Sequence, residues 1–246
     1  MTLFEIESAA AALLERPVND LIVNDVDLGV IALNHVRRLA EQTNDFGFTR
    51  KLLTVSVNGV TGGSLDLAVE YGTTTPVIDI KTIVDVGLFD TDGNFCPVEW
   101  TSVSDSLNRQ RQDNPRYGIR FPTDGQAVSS PIGWRRFAFA GNKVFLFPQT
   151  PNTTFSLGII AYTFTPDWTD DDSDPDPNPP LTGPWLTHGA NYLQWATVIH
   201  LNHLFKGFVF RQEGNLPPPE KIRDEALAAL ITWDAFKFEQ FRRHSR

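Results

Sequence analysis

The stretch Leu52–Gly59, LLTVSVNG, decides the fold: its apolar side chains recur at every second residue and it ends in a dipeptide suited to a tight turn. A period of two sets Leu53, Val55 and Val57 on one side of an extended chain, which predicts a half-buried strand. SLDLAVEYG (64–72) repeats the alternation with Leu65, Leu67, Val69 and Tyr71. Asn58-Gly59 and Gly62-Gly63 supply hairpin-turn chemistry between the two runs. VIDIKTIVDVGLFDTDGNFCPVEW (77–100) continues the block through a turn at Asp92-Gly93. WRRFAFAGNKVFLFP (134–148) predicts two strands joined at Gly141-Asn142, and FSLGIIAYTF (155–164) a last one.

Outside this block the period is helical. Thr2 and Glu5 form a capping box, after which Leu3, Ile6, Ala10 and Leu13 share a face until Pro17. Asn24 to Asp27 start a second helix carrying Leu28, Ile31, Ala32, Val36 and Leu39, which stops near Asn44 and Gly47. Near the other end, HGANYLQWATVIHLNHLFKGF (188–208) is apolar around most of its circumference, as expected of a helix buried on several sides. The final segment begins with prolines at 217–219, places Glu220, Asp224 and Glu225 early and Lys237, Arg242 and Arg243 late, and so follows the helix dipole. Ile222, Ala226, Ala229, Leu230, Trp233 and Phe236 make one stripe on it, with Leu227, Ile231 and Phe238 off the stripe. Two apolar faces on one helix call for two partners, one of them another subunit. The expected fold class is therefore α+β. N-terminal helices (1–50) and C-terminal helices (185–246) form a small bundle, with an antiparallel β domain (51–165) inserted and an acidic, proline-rich connector (166–184) leading back.

That connector, FTPDWTDDDSDPDPNPPLTGPWLT (164–187), carries Asp170, Asp172 and Asp174 in the alternation of a calcium loop. The sixth position, which needs Gly, is Pro175, and the twelfth, which needs Glu, is Leu181, so the EF-hand register fails. A solvated, proline-stiffened spacer accounts for it.

Composition narrows the function classes. The chain has 246 residues, 41% of them hydrophobic, enough for a real core. A net charge of −9 opposes phosphate binding, because nucleic-acid affinity comes from Lys and Arg releasing counterions. The single cysteine, Cys96, allows no internal disulfide and no cysteine-built zinc site. No signal peptide or membrane-length apolar run is expected, and the chain is expected to be soluble and made in the cytosol. Catalytic and cofactor motifs are missing: NGVTGGSL (58–65) is not a phosphate loop, Gly62-Gly63-Ser64 is not a nucleophile elbow, and His200 and His203 share a helical face without a third ligand. The expectation is a non-enzyme without metal or cofactor.

Two segments suggest interaction surfaces. LNRQRQDNPRYGIRF (107–121) gathers Arg109, Arg111, Arg116 and Tyr117, the make-up of interface anchors, and these four are the candidate subunit contact. FKFEQFRRHSR (236–246) ends the chain with Phe236, Phe238 and Phe241 followed by Arg242 and Arg243, which implies a docking site or completion of the core.

Taken in order, DVDLGVIALNHVRRLAEQ (25–42), FDTDGNFCPVEWTSVSD (89–105), NPRYGI (114–119), the strand series FAFAGNKVFLFPQTPNTTFSLGIIAYTFTPDW (137–168) and WLTHGANYLQWATVIHLNHLF (185–205) resemble the head-to-tail adaptor (connector) proteins of short-tailed bacteriophages. The likeness runs over nearly the whole chain, with RFPTDGQAVSSPIGW (120–134) inserted where that family runs directly into the next hairpin. The resemblance implies a structural virion protein at the head–tail junction, a dodecameric ring beneath the portal protein. Such a ring extends the DNA channel and docks tail proteins of the nozzle or tube, and DNA passes through without specific binding. It also implies that Phe236, Phe238, Phe241, Arg242 and Arg243 reach the portal. Alternatives are another tail structural protein, of the tail tube or tail completion, and a carbohydrate-binding β module built on Trp100, Trp134 and Trp168 with Glu99 and Asp167.

Overall fold

The computed structural model of the chain describes residues 1–24, 26–57, 64–66, 78–89, 95–97, 99–100, 136–140, 143–147, 155–169, 182–204 and 217–244. The fold is α+β. It divides into a helical unit, Met1–Thr49 with Asp167–Arg246, and a β unit, Arg50–Pro166.

In the helical unit, α1 (Leu3–Leu13) opens with the capping box: Thr2 Oγ1 accepts from the Glu5 amide at 3.1 Å, and Glu5 Oε2 accepts from the Thr2 amide at 2.8 Å. Its end is a Schellman turn, with the Arg16 amide donating to Ala11 O and the Glu15 amide to Ala12 O, both at 3.0 Å. Glu15 holds the left-handed conformation at φ 54°, a place usually taken by glycine. The helix thus closes ahead of Pro17.

Residues 24–27 differ from the expected helix start. A 3-10 turn (Val18–Leu21) leads into a two-stranded ribbon, β1 (Ile22–Val23) against β2 (Val26–Asp27). Asp27 then caps α2 (Leu28–Thr43), its Oδ1 accepting from the Gly29 amide at 2.8 Å and the Val30 amide at 3.0 Å. The inward stripe of α2 is Val30, Leu33, Val36, Arg37, Ala40 and Glu41, whereas Ile31 and Leu39, expected inside, are exposed. Gly29 lets α1 approach closely: a Cβ there would lie 2.8 Å from both Cγ and Cδ of the buried Glu7.

The described residues of this unit also form α3 (Pro184–Thr187), α4 (Ala190–Leu204) and α5 (Pro219–His244). Buried Tyr192, Leu193, Ala196, Val198 and Leu201 spread over much of α4, as its all-round hydrophobicity predicts. Among the described side chains of α5, Leu230 and Asp234 are buried, with Ala226, Leu227 and Trp233 partly buried. Leu227 therefore lies on the inward stripe, while Ala229 and Phe236 turn outward, the reverse of the expected assignment.

The described residues of the β unit form two four-stranded sheets. One runs β3 (Arg50–Val57), β10 (Phe155–Thr163), β5 (Ile80–Phe89), β6 (Phe95–Pro97), all antiparallel. The other runs β4 (Ser64–Asp66), β9 (Lys143–Phe147), β8 (Arg136–Ala140), β7 (Glu99–Trp100), with one short parallel pairing between β7 and β8. Leu53, Val55, Val86, Leu157, Ile159 and Ala161 from the first sheet share a core with Phe137 and Val144 from the second. β3 alternates as its sequence predicts, Leu53 and Val55 buried and Leu52 54% exposed. β8 and β9 pair antiparallel up to Ala140↔Lys143, and the turn expected at Gly141-Asn142 lies outside the described residues. β3 and β4 do not form the expected hairpin, since they belong to different sheets.

Candidate functional site

The polar centre of the helical unit is built on α2. Arg37, Arg38, Asn34 and Glu41 recur at three- and four-residue spacing and reach two distant segments. Asp167 Oδ1 lies 2.9 Å from Arg37 Nη2, and its Oδ2 3.2 Å from Arg38 Nη1. The Arg37 guanidinium carbon sits 4.2 Å from the Trp168 ring centroid. The backbone of Trp168 is held too: Asn34 Nδ2 donates to its carbonyl at 2.8 Å, and its amide donates to Asn34 Oδ1 at 2.9 Å. One turn further along α2, Glu41 Oε1 accepts from Trp185 Nε1 at 2.7 Å.

Arg37 is fully buried, and desolvation lowers its pKa; Glu41 and then Asp167 act in the opposite sense by favouring the cation. The arrangement fixes Asp167 and Trp168, the first residues of the connector, to α2. Asp167 and Trp168 belong to the helical unit, whereas Glu99 and Trp100 belong to the β unit.

At the C-terminal end of α2, Asp234 of α5 accepts from the amides of Gly47 and Phe48, the latter at 3.2 Å. Phe46, Phe48, Trp185 and Trp233 cluster around it, with Phe46 edge-on to Trp185 and His188 stacked on Trp233 at 3.8 Å. Midway along α2, His35 meets His200 of α4 with ring centroids 4.5 Å apart. Burial lowers the His200 pKa, and His35 and His203 lower it further. Among the described residues no group of three His, Cys, Asp or Glu side chains is placed to hold a metal ion. Among the same residues no helix is long and apolar enough to cross a membrane.

Of the expected site residues, Arg109, Arg111, Arg116 and Tyr117 lie outside the described residues. Phe236 is 60% exposed on α5, and Phe238, Phe241, Arg242 and Arg243 follow it on the same helix. A second apolar exposure, which sequence reasoning missed, is the β1–β2 ribbon: Ile22, Val23 and Val26 are 50%, 44% and 43% exposed. Its signal was present, an Asn-Asp pair between two β-branched runs in LIVNDVD (21–27). Compared with known proteins, the chain matches no family model and no curated sequence.

Proposed function

We propose that this chain is a structural virion protein, the head-to-tail adaptor of a tailed phage. In this reading a dodecameric ring seats beneath the portal, extends its DNA channel and receives the tail proteins. The observation that supports it is the order of parts: both ends of the chain build one helical unit, and a β unit is inserted between them. That is the arrangement the family resemblance implies. Charge agrees, since a ring of copies at −9 each presents a field that repels phosphates, and a conduit must pass DNA without retaining it. The role is that of a scaffold rather than a catalyst. Negative-stain images of the purified protein, alone and mixed with the portal of the same phage, test it. Rings stacked coaxially on the portal are the expected result; a protein that never decorates the portal refutes the reading.

A further inference from the structure

In the sequence His200 and His203 share a face of α4 without a third histidine beside them, and the fold supplies one from another helix. His35 of α2 meets His200 with ring centroids 4.5 Å apart and ring planes inclined at 32°. The backbones that carry the two rings are fixed around the pair. Ala32 packs with Val198 and Leu201 in one apolar cluster, and the Tyr192 hydroxyl donates to the Val36 carbonyl at 3.1 Å. Rings borne by packed helices keep their separation without a ligand to impose it.

The ring nitrogens are uncommitted. Among the described residues, no nitrogen of His35 or His200 makes a hydrogen bond or an ion pair. His35 is exposed, and the half-buried His200 contributes no atom to the buried polar groups that lack a partner, so its nitrogens reach solvent. Two imidazoles with free nitrogens, side by side on different helices, are a chelating pair.

Their spacing selects the ion. An imidazole nitrogen binds a divalent late transition metal at about 2.0–2.1 Å. Two imidazoles on one ion then set their ring centres about 4.5 Å apart at a right angle and about 5.2 Å apart at the tetrahedral angle. The observed 4.5 Å fits the right angle, the tetragonal preference of Cu²⁺ and Ni²⁺, and affinity for nitrogen ligands peaks at Cu²⁺. Rotation of the exposed His35 ring about its last side-chain bond brings either nitrogen to the ion.

We propose that His35 and His200 form an open site for a divalent late transition metal, Cu²⁺ ahead of Ni²⁺ and Zn²⁺, in which the ion ties α2 to α4 and water fills the remaining positions. Two protein ligands suffice for this, so the site is compatible with there being no group of three among the described residues. It goes beyond the adaptor reading and does not depend on it, since neither ring assembly nor the portal enters the argument.

The test titrates untagged, full-length protein with CuCl₂ in a buffer that does not chelate copper, beside His35→Ala, His200→Gln and His203→Ala. The wild type should take up one tightly bound ion per chain by calorimetry, with an electron paramagnetic resonance spectrum of tetragonal Cu²⁺ split by two nitrogen nuclei. His35 is exposed, so His35→Ala should keep the metal-free circular dichroism and melting temperature. It should nevertheless weaken Cu²⁺ binding at least about tenfold, because a single imidazole no longer chelates. His200→Gln should give the same loss, and His203→Ala should bind as the wild type does. Saturating Cu²⁺ should raise the melting temperature of the wild type and leave that of His35→Ala unmoved. Equal affinity in the wild type and His35→Ala overturns the inference. So does a loss seen with His203→Ala and not with His35→Ala, which would place the ion on α4 alone. A wild type without a tight Cu²⁺ site overturns it as well, and all three results leave the adaptor reading standing.

Discussion

Replacing Asp167 with alanine should destabilise the helical unit by about 2 kcal/mol. That value sits between the ~3–5 kcal/mol for breaking a buried pair and the ~0.2–1 kcal/mol of an exposed one. The intermediate position follows from the geometry. Arg37 is 0% exposed and keeps its charge in the interior, whereas Asp167 is 52% exposed and already partly screened. Without the carboxylate, Glu41 and the face of Trp168 still offset part of the buried charge. Arg37→Met removes the charge and preserves most of the packing. It should cost only about 1 kcal/mol, chiefly the lost cation–π contact. In the Arg37→Met background Asp167→Ala should then be nearly neutral, giving a coupling of about 2 kcal/mol. Urea unfolding followed by tryptophan fluorescence is the assay. Trp168, Trp185, Trp195 and Trp233 belong to the helical unit and only Trp100 and Trp134 to the β unit, so the signal reports mainly the former. Circular dichroism run in parallel detects separate unfolding of the two units. An Asp167→Ala cost that is the same in both backgrounds refutes the reasoning.

Two further outcomes are expected. Glu15→Gly should raise stability by about 0.5–1 kcal/mol, because glycine adopts the left-handed φ of the Schellman turn without the steric cost of a Cβ; a lower urea midpoint would contradict it. His200 has a folded pKa below its unfolded value near 6.5, so the unfolded chain binds the proton first. Stability should therefore be full above that unfolded value and fall as pH drops from it towards the lowered folded value. His200→Gln should flatten this part of a pH series, and an unchanged slope would rule His200 out.

Much of the fold is legible because local chemistry and burial agree. Thr2 and Glu5 announce the start of α1, and Leu53 and Val55 the inner face of β3. The failures fall where long-range pairing overrides hydropathy. In VIALNHVRRLAEQ (30–42) the period pointed to Ile31 and Leu39 as core, yet the buried stripe takes Arg37 and Glu41. A charged stripe is affordable only because Asp167 and Trp185 arrive from more than 120 positions away. No local pattern in α2 announces those partners. The pairing of β3 with β10 rather than β4 is equally non-local, since both choices satisfy the same alternation.

The candidate surfaces were legible in a different way, as an excess. A single-stripe helix in a small bundle needs apolar residues at one face, and α5 carries more than that face can bury. The surplus makes a second partner the expectation, while the assignment of residues to faces fails for Leu227 and Phe236. The reason is that the inward side of α5 is set by Asp234, whose carboxylate must meet the amides of Gly47 and Phe48. That polar anchor rotates the helix so that Leu227 and Leu230 turn in and Phe236 turns out. A periodicity argument weighs only apolar residues; it finds Ile222, Ala226, Leu230 and Trp233 on the inner side but misplaces Leu227, Ala229 and Phe236. The same logic applies to the ribbon, where Asp27 is committed to capping α2 and the adjoining Val23 and Val26 are left at the surface. In both places a carboxylate serving backbone amides sets which apolar side chains face out.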